Sequence, residues 1–262
     1  MILDEIAART KQRYKDLAEE IPLSEIRAKA EILKKDTGFP FEKSLSGTDI
    51  SFICEVKKAS PSKGIIAEDF PYLQIAQDYE KAGAAAISCL TEPYWFLGSN
   101  RYLRQIVKKV KIPVLRKDFT VDEYMIYETK ILGASAVLLI CAILSKEQLR
   151  EYLELTHSLG LSALVEAHNE AEITMALDSG AKIIGVNNRN LKDFTVNVNN
   201  SAYLRSLIPT DKIFVSESGI KTAADVQSLR ELGANAVLIG ETLMKSDDKK
   251  AKLSELRGKN EH

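Results

Sequence analysis

The stretch Ser51-Phe52-Ile53-Cys54-Glu55-Val56-Lys57-Lys58-Ala59-Ser60-Pro61-Ser62-Lys63-Gly64 opens as an apolar run of β formers and ends as a polar loop. In a strand, residues i and i+2 share a face. Ile53, Glu55 and Lys57 therefore point one way, and Phe52, Cys54 and Val56 the other. The Ser-Pro-Ser-Lys-Gly continuation cannot extend a sheet. A strand that ends in paired charges and a Ser/Gly/Lys loop suits an anion.

Outward from this stretch the chain alternates. Apolar strand candidates lie at 51–57, 85–90, 112–117, 136–140, 161–166, 182–187, 213–217 and 235–240. Between them run stretches of helical length at 71–82, 99–109, 121–132, 145–159, 169–179, 199–207 and 222–232. Eight strands alternating with helices, without hairpin signals, imply a parallel sheet with crossovers. Ala82-Gly83-Ala84, Leu132-Gly133-Ala134, Ser179-Gly180-Ala181 and Leu232-Gly233-Ala234 each stand just before an even-numbered strand. Each glycine suits the left-handed position that follows a helix. The spacing of about 50 residues is two βα units, and four such quarters close into a (β/α)8 TIM barrel.

One barrel domain accounts for all 262 residues, with 1–45 as a helical extension before the first strand. Apolar residues recur there at helical spacing, Pro22 divides two helices, and Gly38-Phe39-Pro40-Phe41 reads as a loop. The extension reads as packing over one end of the domain, with a lid over the site as the other reading. The tail from Ser246 reads as fraying after one last helix.

A net charge of -1 argues against nucleic-acid or membrane surfaces. The N-terminus lacks a signal-peptide pattern, and no apolar run reaches the roughly 18 residues of a membrane helix. Cys54, Cys89 and Cys141 read as buried apolar residues in a reducing cytoplasm. With the three scattered histidines they offer no metal spacing, and no metal is expected.

Barrel sites lie at the C-terminal ends of the strands. Those ends carry Glu55 and Lys57, Lys117-Asp118-Phe119, Cys141, Glu166, Asn187 with Arg189, Glu217-Ser218-Gly219 and Gly240-Glu241. Leu115 shares a face with Lys117, Leu164 with Glu166, Ile183 and Gly185 with Asn187, and Val215 with Glu217. If the aliphatic partners fill the interior, the polar ones crown it, and burying so many charges is costly unless they pair or serve a ligand. Structural readings stand beside these: a rim ion pair for Glu55 and Lys57, a solvated charge for Lys117, a helix cap for Glu166 and a turn-shaping role for Arg189. Glu92 and Asp118 read as surface or supporting groups. Tyr94-Trp95-Phe96 reads equally as core or as the wall of an aromatic pocket. Ser218-Gly219 and Gly240-Glu241, each before a helix, have the form of a barrel phosphate cradle.

These motifs, from Glu55–Gly64 through Leu115–Phe119, Leu164–Ala167, Gly185–Leu191 and Ser216–Ile220 to Leu238–Glu241, resemble the indole-3-glycerol phosphate synthase family. Two small departures are Asn190, where the family often has Asp, and Glu241, where several members have Ser. The resemblance implies a carbon–carbon lyase of tryptophan biosynthesis. It acts alone on a small phosphorylated substrate without a cofactor, as a monomer, with a dimer left open. It implies Lys117 as general acid, with a pKa lowered by neighbouring cations, and Glu166 as general base. Lys57 is then a second acid or the partner of the substrate carboxylate, and Glu55, Asn187, Arg189 and Glu217 are orienting groups. Ser60, Ser218, Gly219, Gly240 and Glu241 would hold phosphate, and Phe96, Phe119 and Leu191 the aromatic ring. A Schiff-base aldolase, a phosphoribosylanthranilate isomerase and a non-catalytic metabolite sensor remain as alternatives.

Overall fold

The computed structural model describes residues 2–190, 195–197 and 199–258. Eight strands close into a parallel barrel: β1 (Ser51–Val56), β2 (Ala86–Leu90), β3 (Val114–Lys117), β4 (Ala136–Ile140), β5 (Ser162–Ala167), β6 (Ile183–Asn187), β7 (Ile213–Glu217) and β8 (Ala236–Ile239). The closure is a register of Ile53 against both Leu238 of β8 and Ala86 of β2. Each strand falls within about a residue or two of its sequence-based bounds.

Twelve helices are described. The extension supplies α1 (Ile2–Glu20), α2 (Leu23–Glu31) and α3 (Pro40–Leu45). The outer ring is α4 (Tyr72–Lys81), α5 (Asn100–Val107), α6 (Glu123–Leu132), α7 (Lys146–Ser158), α8 (Glu170–Asp178), α9 (Asn199–Arg205) and α10 (Ala223–Glu231), followed by the short α11 (Glu241–Met244) and α12 (Lys249–Leu256). Ser99, Asp122, Ser145, Asn169 and Thr222 each accept a backbone N–H in the first turn of the helix they cap, which fixes where the crossovers begin. The four repeat glycines, Gly83, Gly133, Gly180 and Gly233, all have positive φ of 75–89° behind their helices.

The alternation of faces holds. Phe52, Cys54 and Val56 pack outward against the helices. Ile53, Leu115, Leu164, Ile183 and Val215 fill the barrel interior. The expected loop at 38–41 is in part helix α3: Pro40 sits in its first turn, entered from a left-handed Phe39. Its Phe41 and Leu45 are fully buried and plug the end of the barrel where the strands begin. A helix of six residues is too short to announce itself by periodicity. The loop after β1 also differs from expectation, because Ala59–Ser60 pairs antiparallel with Gly64–Ile65 around the Pro61-Ser62 turn. Gly64 at φ 63° permits that return.

The helix at α12 is docked by its buried Leu253 and Leu256. Helices α1 and α2 pack through Ala7, Tyr14, Ile26 and Ala30 on Tyr124, Met125 and Leu161. A polar clamp adds to this. Arg116, on the outward face of β3 and wholly buried, donates to Glu128 (2.7 Å), to Tyr14 Oη (2.7 Å) and to Asn100 (3.0 Å). Arg13 of α1 pairs with Asp118 at 3.2 Å. The extension is thereby tied to β3, and its first turn is carried to the mouth of the barrel. Among the described residues no helix is long and apolar enough to cross a membrane.

Candidate active site

At the C-terminal ends of the strands lies a cavity of about 890 Å³. Every site residue expected from the sequence lines it except Leu191, which lies outside the described residues. The strand parity places them there: each shares a face with an interior aliphatic of its own strand, or follows in the next loop.

The floor is one layer of four charged side chains, Glu55 of β1, Lys117 of β3, Glu166 of β5 and Glu217 of β7. They come from alternate strands, as layers in such barrels do. Lys117 Nζ lies 3.2 Å from Glu166 and 3.5 Å from Glu217. Lys57 Nζ pairs with Glu55 at 2.6 Å. Two glycines make room for these carboxylates. A Cβ on Gly185 would overlap Glu217 Oε1 and stand 3.2 Å from Leu164 Cδ1. A Cβ on Gly240 would overlap Glu55 Oε1 and come within 2.9 Å of Lys57 Nζ.

This geometry corrects one expectation. Lys117 is surrounded by carboxylates, not by cations. Burial alone would lower its pKa, but Glu166, Glu217 and Glu55 together outweigh burial and hold the ammonium well above its ordinary value. The two facing carboxylates diverge. Burial would raise Glu166, yet Lys117 and His168 hold it well below the carboxylate range. Burial pushes Glu217 up to about 7, Lys117 offsetting only part of this and the charges of Glu166 and Glu55 adding to it. Three buried carboxylates around one ammonium cannot all ionise at little cost.

On the polar side of the cavity stand Ser60, Ser218, Gly219, Gly240 and Glu241. Ser218 (φ 68°) and Gly219 (φ 83°) are consecutive left-handed residues, and the Ser218 carbonyl is held by Asn188 Nδ2 at 3.1 Å. A serine in that conformation marks a backbone shaped by its surroundings. The Glu241 carboxylate gathers Lys245 (2.7 Å), Lys63 (3.8 Å) and Arg189 (4.0 Å), cations from three different loops or helices. The Arg189 N–H donates to Asn187 Oδ1 at 3.0 Å, which joins two of the expected residues.

The apolar side is formed by Phe96 and Phe119, with ring centroids 5.8 Å apart, together with Leu90, Leu138 and Ile140. Glu92 and Asp118 are both buried, so a surface reading fails for each. Glu92 accepts the backbone N–H groups of Tyr94, Trp95 and Phe96 at 2.8–2.9 Å and so folds the loop that presents Phe96. Asp118 accepts from Thr91 (2.7 Å) and from the Phe119 N–H (2.8 Å), bracing the loop after Lys117. Of the aromatic trio only Phe96 lines the cavity; Tyr94 is exposed and lies under Arg9.

Ile2, Leu3 and Ile6 of α1 line the cavity, so the extension, expected to pack on one end with a lid as the other reading, both packs and reaches the mouth. One contributor was absent from the sequence reading. His168 places Nε2 3.3 Å from Glu166 Oε1 and Nδ1 3.0 Å from Glu172. The two carboxylates outweigh burial and raise its pKa to about 10. The signal for it was the spacing: Glu166 two residues before, Glu172 four residues after.

Comparison with known proteins agrees with this arrangement. The indole-3-glycerol phosphate synthase family model matches residues 3–256. The chain is 57% identical over 258 residues to the indole-3-glycerol phosphate synthase of Ruminiclostridium cellulolyticum, covering 98% of this chain and 99% of that protein. It is likewise 57% identical over 257 residues to that of Endomicrobium trichonymphae, covering 98% and 100%. Among solved structures, 3-hexulose-6-phosphate synthase from Salmonella typhimurium superposes with a TM-score of 0.65 at 12% identity, over 80% of this chain and 97% of that one. At that identity it shares the barrel alone. A family match from the first helix to the last, on a barrel whose mouth gathers the residues of the family's motifs, leads to one conclusion: the chain belongs to the indole-3-glycerol phosphate synthase family.

Proposed function

We propose that Lys117 is the general acid of ring closure and Glu166 the general base of the later dehydration, in a cavity that orients the substrate between a phosphate side and an aromatic side. The reaction converts 1-(2-carboxyphenylamino)-1-deoxy-D-ribulose 5-phosphate to indole-3-glycerol phosphate, carbon dioxide and water, a carboxy-lyase step of tryptophan biosynthesis.

The chemistry asks for these groups. The ring carbon that bears the carboxylate attacks the ribulose carbonyl, and negative charge grows on the carbonyl oxygen. The product of that step is an alkoxide, which is strongly basic. An ammonium with a raised pKa is matched to protonate it and stabilises the charge as it forms. Carbon dioxide then leaves and the ring rearomatises. In dehydration the nitrogen lone pair expels the hydroxyl, so the anilino N–H becomes acidic; once that proton has left, the ring methylene gives up a proton and nitrogen regains one, which completes the indole. Glu166, held ionised, is a sufficient base for such a proton. Lys57 assists the departing oxygen or holds the substrate carboxylate in this reading. Glu55, Asn187, Arg189 and Glu217 orient the lysines and the ketose chain. Ser60, Ser218, Gly219, Gly240 and Glu241 receive the phosphoryl group, partly through backbone N–H groups beside α11. Phe96 and Phe119 wall the anthranilate ring.

The observation that carries this reading is Lys117 Nζ suspended between Glu166 and Glu217 at the cavity floor. The test is to supply the carboxyphenylamino-deoxyribulose phosphate and follow indole fluorescence. Turnover is expected in the native enzyme. Lys117→Ala is expected to lose about 10³-fold or more in kcat while retaining the fold and most phosphate-dependent binding. A near-normal kcat in that variant removes Lys117 from the acid role.

A further inference from the structure

We propose that His168 is a positioning residue of the reaction, whose imidazolium, clamped by Glu172, holds the Glu166 carboxylate ionised and aimed at Lys117. The inference deepens the reading of Glu166 as base and rests on it.

The geometry around Glu172 is built to fix this ring. Glu172 Oε2 accepts the His168 backbone N–H at 2.8 Å and stands 3.0 Å from His168 Nδ1. Its other oxygen accepts Asn169 Nδ2 at 2.8 Å, and its own N–H is returned to Asn169 Oδ1 at 3.0 Å. Asn200 Nδ2 holds the His168 carbonyl at 3.3 Å. With Nδ1 pinned, Nε2 is directed at Glu166 Oε1, 3.3 Å away, as a charge contact outside hydrogen-bonding alignment. A neutral imidazole has one N–H and one lone pair. Between two carboxylates that lone pair would face an anion, so only the doubly protonated ring fits both sides. Glu166 thus has a cation on each oxygen, Lys117 on Oε2 and His168 on Oε1. Removing the second cation leaves Glu166 beside one ammonium that it shares with Glu217.

The titratable groups facing this pair, among the described residues, are Glu166 from β5, Glu172 from α8, Lys117 from β3, Glu217 from β7 and the Cys141 thiol from the turn after β4. No other cation among them stands on the Glu172 side.

The test uses full-length enzyme with isotope-labelled histidine, the His168 signal being identified by its loss in His168→Gln. Both ring nitrogens are expected to stay protonated from pH 6 to 9 in the native enzyme. In Glu172→Gln the titration midpoint is expected to fall by about two units, and a new limb to enter the kcat profile near pH 8. In His168→Gln the acid limb of kcat is expected to move up by about one unit or more, with KM within about threefold. A native His168 that titrates near its ordinary value, or a His168→Gln acid limb that coincides with the native one, overturns the inference. Glu166→Gln separates the two claims. Retained turnover in it overturns the base reading and this inference together. A dead Glu166→Gln beside a His168→Gln of native pH profile overturns this inference alone.

Discussion

Gly185→Ala tests whether the charged layer works through its geometry. Gly185 belongs to β6, is registered against Val215 of β7 and faces the side chain of Glu217 two residues on. An added Cβ stands 3.3 Å from Glu217 Cδ and overlaps Oε1, while Leu164 Cδ1 at 3.2 Å closes the other side. The φ of Gly185 is outside the left-handed region, so the backbone accepts alanine. The overlap is relieved by moving the carboxylate back by about 1 Å, and a displacement of that size near the reacting groups costs about 10²-fold in rate. Overpacking of the barrel interior adds a stability loss of about 1–3 kcal/mol. The assay is kcat by indole fluorescence, with circular-dichroism melts to confirm folding. The expected result is a kcat about 100-fold down with KM little changed. A double-mutant cycle carries the decision. On a Glu217→Ala background there is no carboxylate to displace, so Gly185→Ala should add little further loss. An equal loss on that background, or a single mutant within about threefold of native kcat, refutes the argument.

Glu166→Gln is expected to lower kcat by about 10²–10⁴-fold and to accumulate a species that has closed its ring but not lost water; an unchanged rate with no such species refutes the assignment. Glu217, half ionised at about pH 7, is neutral below that pH and adds a negative charge to the layer above it. The substrate is itself anionic, so kcat/KM is expected to fall as pH rises through about 7, and Glu217→Gln to remove that inflection; a profile the same in both enzymes refutes it. The linked stability has the same sign: the folded pKa is raised above the unfolded 4.5, so the contribution is present below about pH 4.5 and lost as pH rises through about 7. Arg116→Met leaves Glu128 without its guanidinium partner, and is expected to cost about 3–5 kcal/mol in urea denaturation; a change under about 1 kcal/mol would mean the clamp on α1 is dispensable.

The barrel was legible in the sequence because its signals repeat. Eight apolar runs, four glycine-terminated helices and a period of two along each strand all report the same architecture, and the interior-to-crown parity of Ile53–Glu55 or Leu164–Glu166 follows from that period alone. What was not legible depends on contacts between distant segments. Helix α3 is one and a half turns long, and its burial is decided by the open end of the barrel, which its own residues do not reveal. Glu92 and Asp118 look like surface acids in a string of residues; they are buried because adjacent loops turn backbone N–H groups toward them. His168 carries its evidence within seven residues, but a lone histidine after a strand gives no reason to test both neighbours for carboxylates.

The sign of the Lys117 shift is the most consequential of these differences, and it follows from topology. Neighbouring strands in the barrel register Lys117 against Leu90 and, through Leu115 and Arg116, against Ala136 and Val137, none of them acidic. Its charged partners stand on β5, β7 and β1, alternate members of a closed ring that face one another only across the interior. Gly185 of β6, under Glu217, and Gly240 just after β8, beside Glu55, are the glycines that let those carboxylates reach inward. Lys117 is thus the one cation contributed by a four-residue layer whose other members are acids. A protonated Lys117 offsets the burial of Glu166 and Glu217, beside Lys57 on Glu55 and His168 on Glu166. The same requirement disfavours Schiff-base chemistry, which needs an uncharged amine. An ammonium held in place by two acids is the state the fold enforces.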